Sequence, residues 1–173
     1  MKIQTVLFSF LCLTLAASAA YSESGKAVLA GTSAKAKVAG TVTLLDQPSG
    51  LKIDVDITQA PPGPHAFHIH EFGSCANEAK DAGSHYNPAS HPHGNALQDG
   101  IGKTHAGDFG NLTIDSQGKG AMHLVIPGLS LSHGDATVAG RAFVLHAKAD
   151  DFSQPAGNAG DRIGCGPILI TGK

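Results

Sequence analysis

Residues 51–57 read LKIDVDI and alternate apolar and polar positions without a break. A period of two puts Leu51, Ile53, Val55 and Ile57 on one face of a half-buried strand. Residues 38–45 form a similar run just upstream, separated from the first by Gln47, Pro48, Ser49 and Gly50, a turn cluster. Further short runs lie at 27–30, 66–70, 112–114, 121–126, 142–146 and 168–170. That predicts about eight strands, and no stretch keeps a helical period over more than three turns. Evenly spaced short strands with Gly and Pro turns point to an all-β, antiparallel sandwich or barrel. Two segments interrupt the pattern, 71–107 and 147–166, both rich in Gly, Asn, Asp, His and Pro. Unstructured loops of that length in a small domain are usually functional.

The first residues follow a different logic. Lys2 gives a positive start, residues 6–15 (VLFSFLCLTL) are apolar, and Ala17, Ser18 and Ala19 supply a small-x-small cleavage pattern. This is the layout of a secretory signal peptide over 1–19, leaving 20–173 as the mature domain. The apolar run is too short for a membrane span, and no later segment is apolar enough for one. The expected destination is outside the cytoplasm, in the periplasm or the medium. After cleavage only Cys75 and Cys165 remain of three cysteines. In an exported protein two cysteines are best read as one disulfide.

Charge excludes one class of partner. The 173-residue chain has a net charge of −2 and shows no basic stripe for nucleic acid. Histidine stands out instead, with ten residues, and histidine in excess points to metal. His68 and His70 are two apart at the end of a predicted strand, so both rings face the same way. His146 ends another strand, and the long loop carries His85, His91, His93 and His105, followed by Asp108. Three imidazoles and a carboxylate make a zinc shell, whereas an all-nitrogen set with an open position suits copper. His65 is an odd number of positions from His68 and is read as structural. His123 and His133 are read as facing away from the core and as a loop residue.

The segments FHIHEFGSC (67–75), GSHYNP (83–88), HGN (93–95), THAGDFGNL (104–112), GRAFVLHAKADDF (140–152) and GNAGDRIGCGPI (157–168) resemble the copper/zinc superoxide dismutases, of the exported bacterial type. Six motifs in order over nearly the whole mature chain carry the resemblance. It implies an eight-stranded antiparallel Greek-key barrel with two long functional loops. It implies dismutation of superoxide to oxygen and hydrogen peroxide by redox cycling of a histidine-bound copper, bridged through His85 to a structural zinc. His68, His70, His85 and His146 match the copper ligands, and His85, His93, His105 and Asp108 the zinc ligands. Asp150 matches the carboxylate linking a copper histidine to a zinc histidine. Arg162 matches the anion-docking arginine, and Cys75 with Cys165 the family disulfide. Superoxide is then the small-molecule substrate, and the resemblance allows a homodimer. Two features depart from the family. Asp161 stands beside Arg162, where it could pair with it, and the loop before Arg162 is short and poor in charge. His91 is a second candidate beside His93. The competing reading is a non-enzymatic copper/zinc-binding or copper-delivery module on the same fold, and the full set of ligands with Arg162 weighs against it.

Overall fold

A computed structural model describes residues 22–173. The expected signal peptide, 1–19, lies outside the described residues. Eleven strands follow in chain order: β1 (Ser24–Gly31), β2 (Ala39–Gln47), β3 (Gly50–Gln59), β4 (Gly63–His70), β5 (Asp108–Ile114), β6 (Gly120–Ile126), β7 (Leu129–Ser130), β8 (Ala136–Thr137), β9 (Ala142–His146), β10 (Arg162–Pro167) and β11 (Leu169–Gly172). Eight of them form one antiparallel sheet in the order β5-β4-β9-β10-β1-β2-β3-β6, with β11 paired to β1. The two outer strands, β5 and β6, are consecutive in sequence and joined by a tight turn, so the sheet is nearly closed into a Greek-key barrel. Among the described residues no helix is long and apolar enough to cross a membrane.

The alternation read at 51–57 is realised in β3, where Leu51, Ile53, Val55 and Ile57 are buried against the interior. Val42 and Leu44 join them from β2, and Phe67 stacks on Phe143 with centroids 5.1 Å apart. Burying side chains of this size stabilises the fold by roughly 1.5–3 kcal/mol each.

The second expected loop is shorter than the sequence suggested, because Arg162–Pro167 is a strand. Gly164, Gly166 and Pro167 dilute its apolar pattern. The glycine at 166 is needed for packing: a Cβ there would lie 2.7 Å from the Val28 carbonyl oxygen. β5 also starts earlier than expected, at Asp108, where the ladder to β4 shifts register between Ala66 and His68. The two loops therefore run over 71–107 and 147–161. The first links β4 to β5 and the second β9 to β10. β4 and β9 are antiparallel, so the first loop leaves beyond His70, opposite the start of β9, and the second leaves beyond His146, one residue past the Leu145–Phe67 pair; the contact of His93 with Asp150 brings the loops together.

Cys75 and Cys165 are joined in a disulfide with Cα atoms 5.7 Å apart. It ties the start of the long loop to β10.

Candidate metal centre

Two groups of donors converge over β4, β5 and β9. His68, His70, His85 and His146 form one, and His85, His93, His105 and Asp108 the other, with His85 common to both. The strands explain the first group. His68 and His70 are alternate residues near the end of β4, and His146 ends the paired strand β9, so three rings meet without help from the loops. The second group hangs on Asp108, the first residue of β5, with three histidines delivered by loop 71–107.

Hydrogen bonds fix which nitrogen of each ring is free. His68 donates from Nε2 to Asp150 Oδ2 at 2.8 Å. His70 donates from Nδ1 to the Gly83 carbonyl at 3.0 Å, and His146 from Nδ1 to the Gly160 carbonyl at 3.3 Å. Each bond sets the tautomer and leaves a lone pair on the other nitrogen. Burial pushes the pKa of His70 down to about 2 and that of His146 to about 3, so neither ring takes a second proton near neutrality. Their Nε2 atoms then face each other as two lone pairs 3.2 Å apart. His68 Nδ1 is buried with no hydrogen-bond partner among the described residues. Buried lone pairs aimed at one another are costly without a cation between them.

The second group gives the same result. Nδ1 atoms of His85, His93 and His105 lie 2.8, 2.7 and 3.1 Å from the Asp108 carboxylate. The His93 contact is not aligned as a hydrogen bond, and that buried Nδ1 has no partner. Three ring nitrogens gathered on one carboxylate also suit zinc, around which donors sit roughly 3.3 Å apart on bonds of about 2.0 Å. Burial works against the Asp108 carboxylate, but the close imidazoles of His105, His85 and His93 outweigh it and hold the pKa far below the usual range. Burial likewise lowers the His85 pKa, to about 4, against the pull of Asp108.

Asp150 joins the two groups. Its Oδ2 accepts from His68 and its Oδ1 from His93 Nε2 at 3.0 Å, and all three side chains are excluded from solvent. Burial opposes the Asp150 carboxylate too, and the two histidines prevail, lowering its pKa. His93 therefore has a carboxylate at each nitrogen. Burial disfavours its charged ring, yet Asp108 and Asp150 raise its pKa to about 9. Gly157, at φ +71°, covers Asp150 so closely that a Cβ would lie 1.8 Å from Oδ1. Only glycine fits that place and that backbone conformation.

Arg162, the first residue of β10, shares with His70, His85 and His146 the wall of a cavity of about 810 Å³. Its guanidinium donates to the carbonyls of Ala79 (2.5 Å) and Gly83 (2.7 Å). Among the described residues no ion pair joins it to Asp161, so the neighbouring carboxylate leaves its charge uncancelled. Burial lowers the Arg162 pKa from its ordinary value, which is too high for the charge to be lost near neutrality. His91 lies in neither donor group; its backbone is held by Asn87.

Several contributors are not among the ligand positions that the sequence motifs single out. His65 is buried with its ring between the carbonyls of His146 (2.8 Å) and Pro61 (2.8 Å), which fits its structural reading and shows what it holds. Asn111 bonds both the N–H and the carbonyl of Asp150, at 2.7 and 3.0 Å. Gln154 does the same to His93. A third group, Glu23, Asp46 and His133, lies apart from the centre, and there the Lys173 ammonium, 3.6 Å from Glu23, supplies positive charge.

Residues 38–168 match the family described as copper/zinc superoxide dismutase. A protein named superoxide dismutase [Cu-Zn] from Legionella pneumophila is 35% identical over 168 residues, covering 96% of this chain and 94% of that one. The crystal structure of the clock protein EA4 is similar with a TM-score of 0.74 and 36% identity, covering 86% of this chain and 94% of the other.

Proposed function

This chain belongs to the copper/zinc superoxide dismutase family, and from that premise we propose that His68, His70, His85 and His146 hold copper while His85, His93, His105 and Asp108 hold zinc. The reaction is dismutation of superoxide to oxygen and hydrogen peroxide, with copper and zinc as cofactors. When bound, copper supplies one-electron exchange and zinc a fixed positive charge without redox chemistry. The observation that carries the assignment is the pair of lone pairs on His70 and His146, 3.2 Å apart and unable to share a proton at neutral pH.

The remaining roles belong to the chain's own residues. Arg162 presents a permanent charge to a small anion entering the cavity beside His70, His85 and His146. His85, neutral near pH 7 and common to both groups, is the ring placed to hold a proton and hand it to the reduced substrate. Asp150 accepts from Nε2 of His68 and of His93, so Nδ1 is the atom each ring turns toward a metal. An anchored Arg162 beside a full ligand set favours the enzyme over a copper-delivery module, which has no use for a docked anion. Loading the purified protein to one copper and one zinc per chain and measuring superoxide consumption tests this reading. A loaded protein that leaves superoxide untouched overturns it.

Two results are expected from single measurements. Arg162→Ala slows superoxide consumption by about 10-fold at low salt while both metals stay bound. A preorganised donor in a closed site is worth about 100-fold or more, and less at an open mouth screened by salt. Unchanged activity removes Arg162 from the docking role. The second concerns protons. Below pH about 9 the metal-free chain carries a proton on each nitrogen of His93, and zinc at Nδ1 displaces one. Zinc uptake at pH 7 should release protons, seen calorimetrically as a binding heat that varies with buffer ionisation enthalpy. The His93 share fades above pH about 9. A heat independent of buffer at pH 7 contradicts it.

Export belongs to the same proposal, supported by the Cys75–Cys165 disulfide, a bond that persists in oxidising compartments such as the periplasm. A second copy of this chain is the proposed partner. Val28 on β1 and Leu169 on β11 stand exposed on the same face of paired strands, apolar surface that association would cover.

A further inference from the structure

We propose that Gln154 is a positioning residue for zinc: its carboxamide fixes the backbone of His93 and so aims that ring. The inference rests on the assignment of His93 to zinc made above.

Loop 147–161 reaches His93 at three points. The His93 backbone N–H donates to Gln154 Oε1 at 3.0 Å, Gln154 Nε2 donates to the His93 carbonyl at 2.8 Å, and the ring donates to Asp150. Two bonds from one planar group to one residue fix both the position and the tilt of the peptide. A carboxamide offers a donor and an acceptor side by side; a carboxylate only accepts and an ammonium only donates.

The same device appears twice more. Asn87 pairs with the N–H and carbonyl of His91 at 3.0 and 2.8 Å, and Asn111 pairs with those of Asp150. Their reach differs. Asn87 closes a turn inside loop 71–107, and Asn111 moors loop 147–161 to β5. Of these three, Gln154 is the one that ties the first loop to the second. Before His93 the chain is held by the Asn87 bonds to His91, while Pro88, Ala89, Ser90 and Pro92 are exposed and outside regular structure. The Gly94 N–H, which donates to Asp108 Oδ2 at 3.0 Å, is the anchor on the other side. With Gln154 gone, His93 keeps its ring bond to Asp150 and the Gly94 anchor but loses its backbone seat. The expected effect is therefore partial and specific to zinc.

The experiment is zinc release from the fully metallated protein to a chromogenic chelator, run on wild type, Gln154→Ala and Gln154→Glu. Thermal melting of each is compared with and without metal. Gln154→Ala is expected to release zinc about 10-fold faster, the low end of the 10- to 100-fold typical of residues that orient metal ligands. Gln154→Glu keeps the acceptor for the His93 N–H and loses the donor, so it falls between. The gap in melting temperature between metallated and metal-free chains narrows in the same order. Zinc release at the wild-type rate overturns the proposal. Equal losses of melting temperature with and without metal also overturn it, since they mark a structural role alone. His93→Ala separates this failure from the larger one. Zinc retained at wild-type affinity in His93→Ala removes the ligand assignment itself. Zinc lost there, with wild-type release from the Gln154 variants, removes only the role of Gln154.

Discussion

His146→Ala is expected to lower superoxide consumption by more than about 100-fold while zinc uptake stays at one ion per chain. Residues that merely orient a metal ligand are worth 10- to 100-fold, so loss of a ligand sets a larger effect. The selectivity comes from the site's construction. His146 belongs to the four-histidine group alone, whereas the zinc group shares only His85 with it. The backbone carbonyl of residue 146 remains for the His65 ring, so the seam between β4 and the end of β9 keeps its anchor. Loss of a buried imidazole beside an open cavity leaves room for water rather than a dry void. Metal analysis of the variant beside its activity checks both halves. Zinc lost along with copper would mean that the two sets are not separable in this chain.

Cys165→Ser should cost about 2–5 kcal/mol of folding stability, the range seen on removing a native disulfide from a small exported domain. The bond closes a separation of 90 residues, for which chain entropy alone gives about 4.6 kcal/mol. Cys165 is also packed in a small cluster with Ala79, Ala82, Ala142 and Val144, so serine leaves a hydroxyl in apolar surroundings. The cost has a local side. Ala79 and Gly83, whose carbonyls seat the Arg162 guanidinium, lie a few residues past Cys75 in the segment that the disulfide pins to β10. Loosening that segment unseats Arg162, so activity falls along with stability. Denaturant midpoints of the metal-free proteins measure the first effect, and equal midpoints for wild type and variant would refute it.

What the sequence made legible was whatever repeats with the period of a strand or sits in a motif. Alternation exposed β3, and the spacing of His68 and His70 told which way their rings face. β10 stayed hidden because its residues are chosen for closeness: glycines let its backbone lie against β1, and they carry no apolar signal. The environment of Arg162 was equally unreadable. Its partners are main-chain oxygens of Ala79 and Gly83, and any residue supplies a carbonyl. The same limit applies to Asn111 and Gln154, whose bonds also go to backbone. The expected tension between Asp161 and Arg162 has no counterpart as an ion pair, because the guanidinium turns toward loop 71–107.

The tight turn joining β5 to β6 has a practical consequence. β5 begins at Asp108 among the proposed zinc ligands and runs seven residues, about 23 Å at strand spacing, before the chain reverses between Asp115 and Lys119. Asp115 closes that reversal with its own carboxylate, accepting from the N–H groups of Gln117 and Lys119. The turn thus stands away from the proposed zinc ligands. A fluorophore or affinity handle grafted at Ser116 or Gln117 would report on the molecule from a turn remote from the proposed zinc ligands.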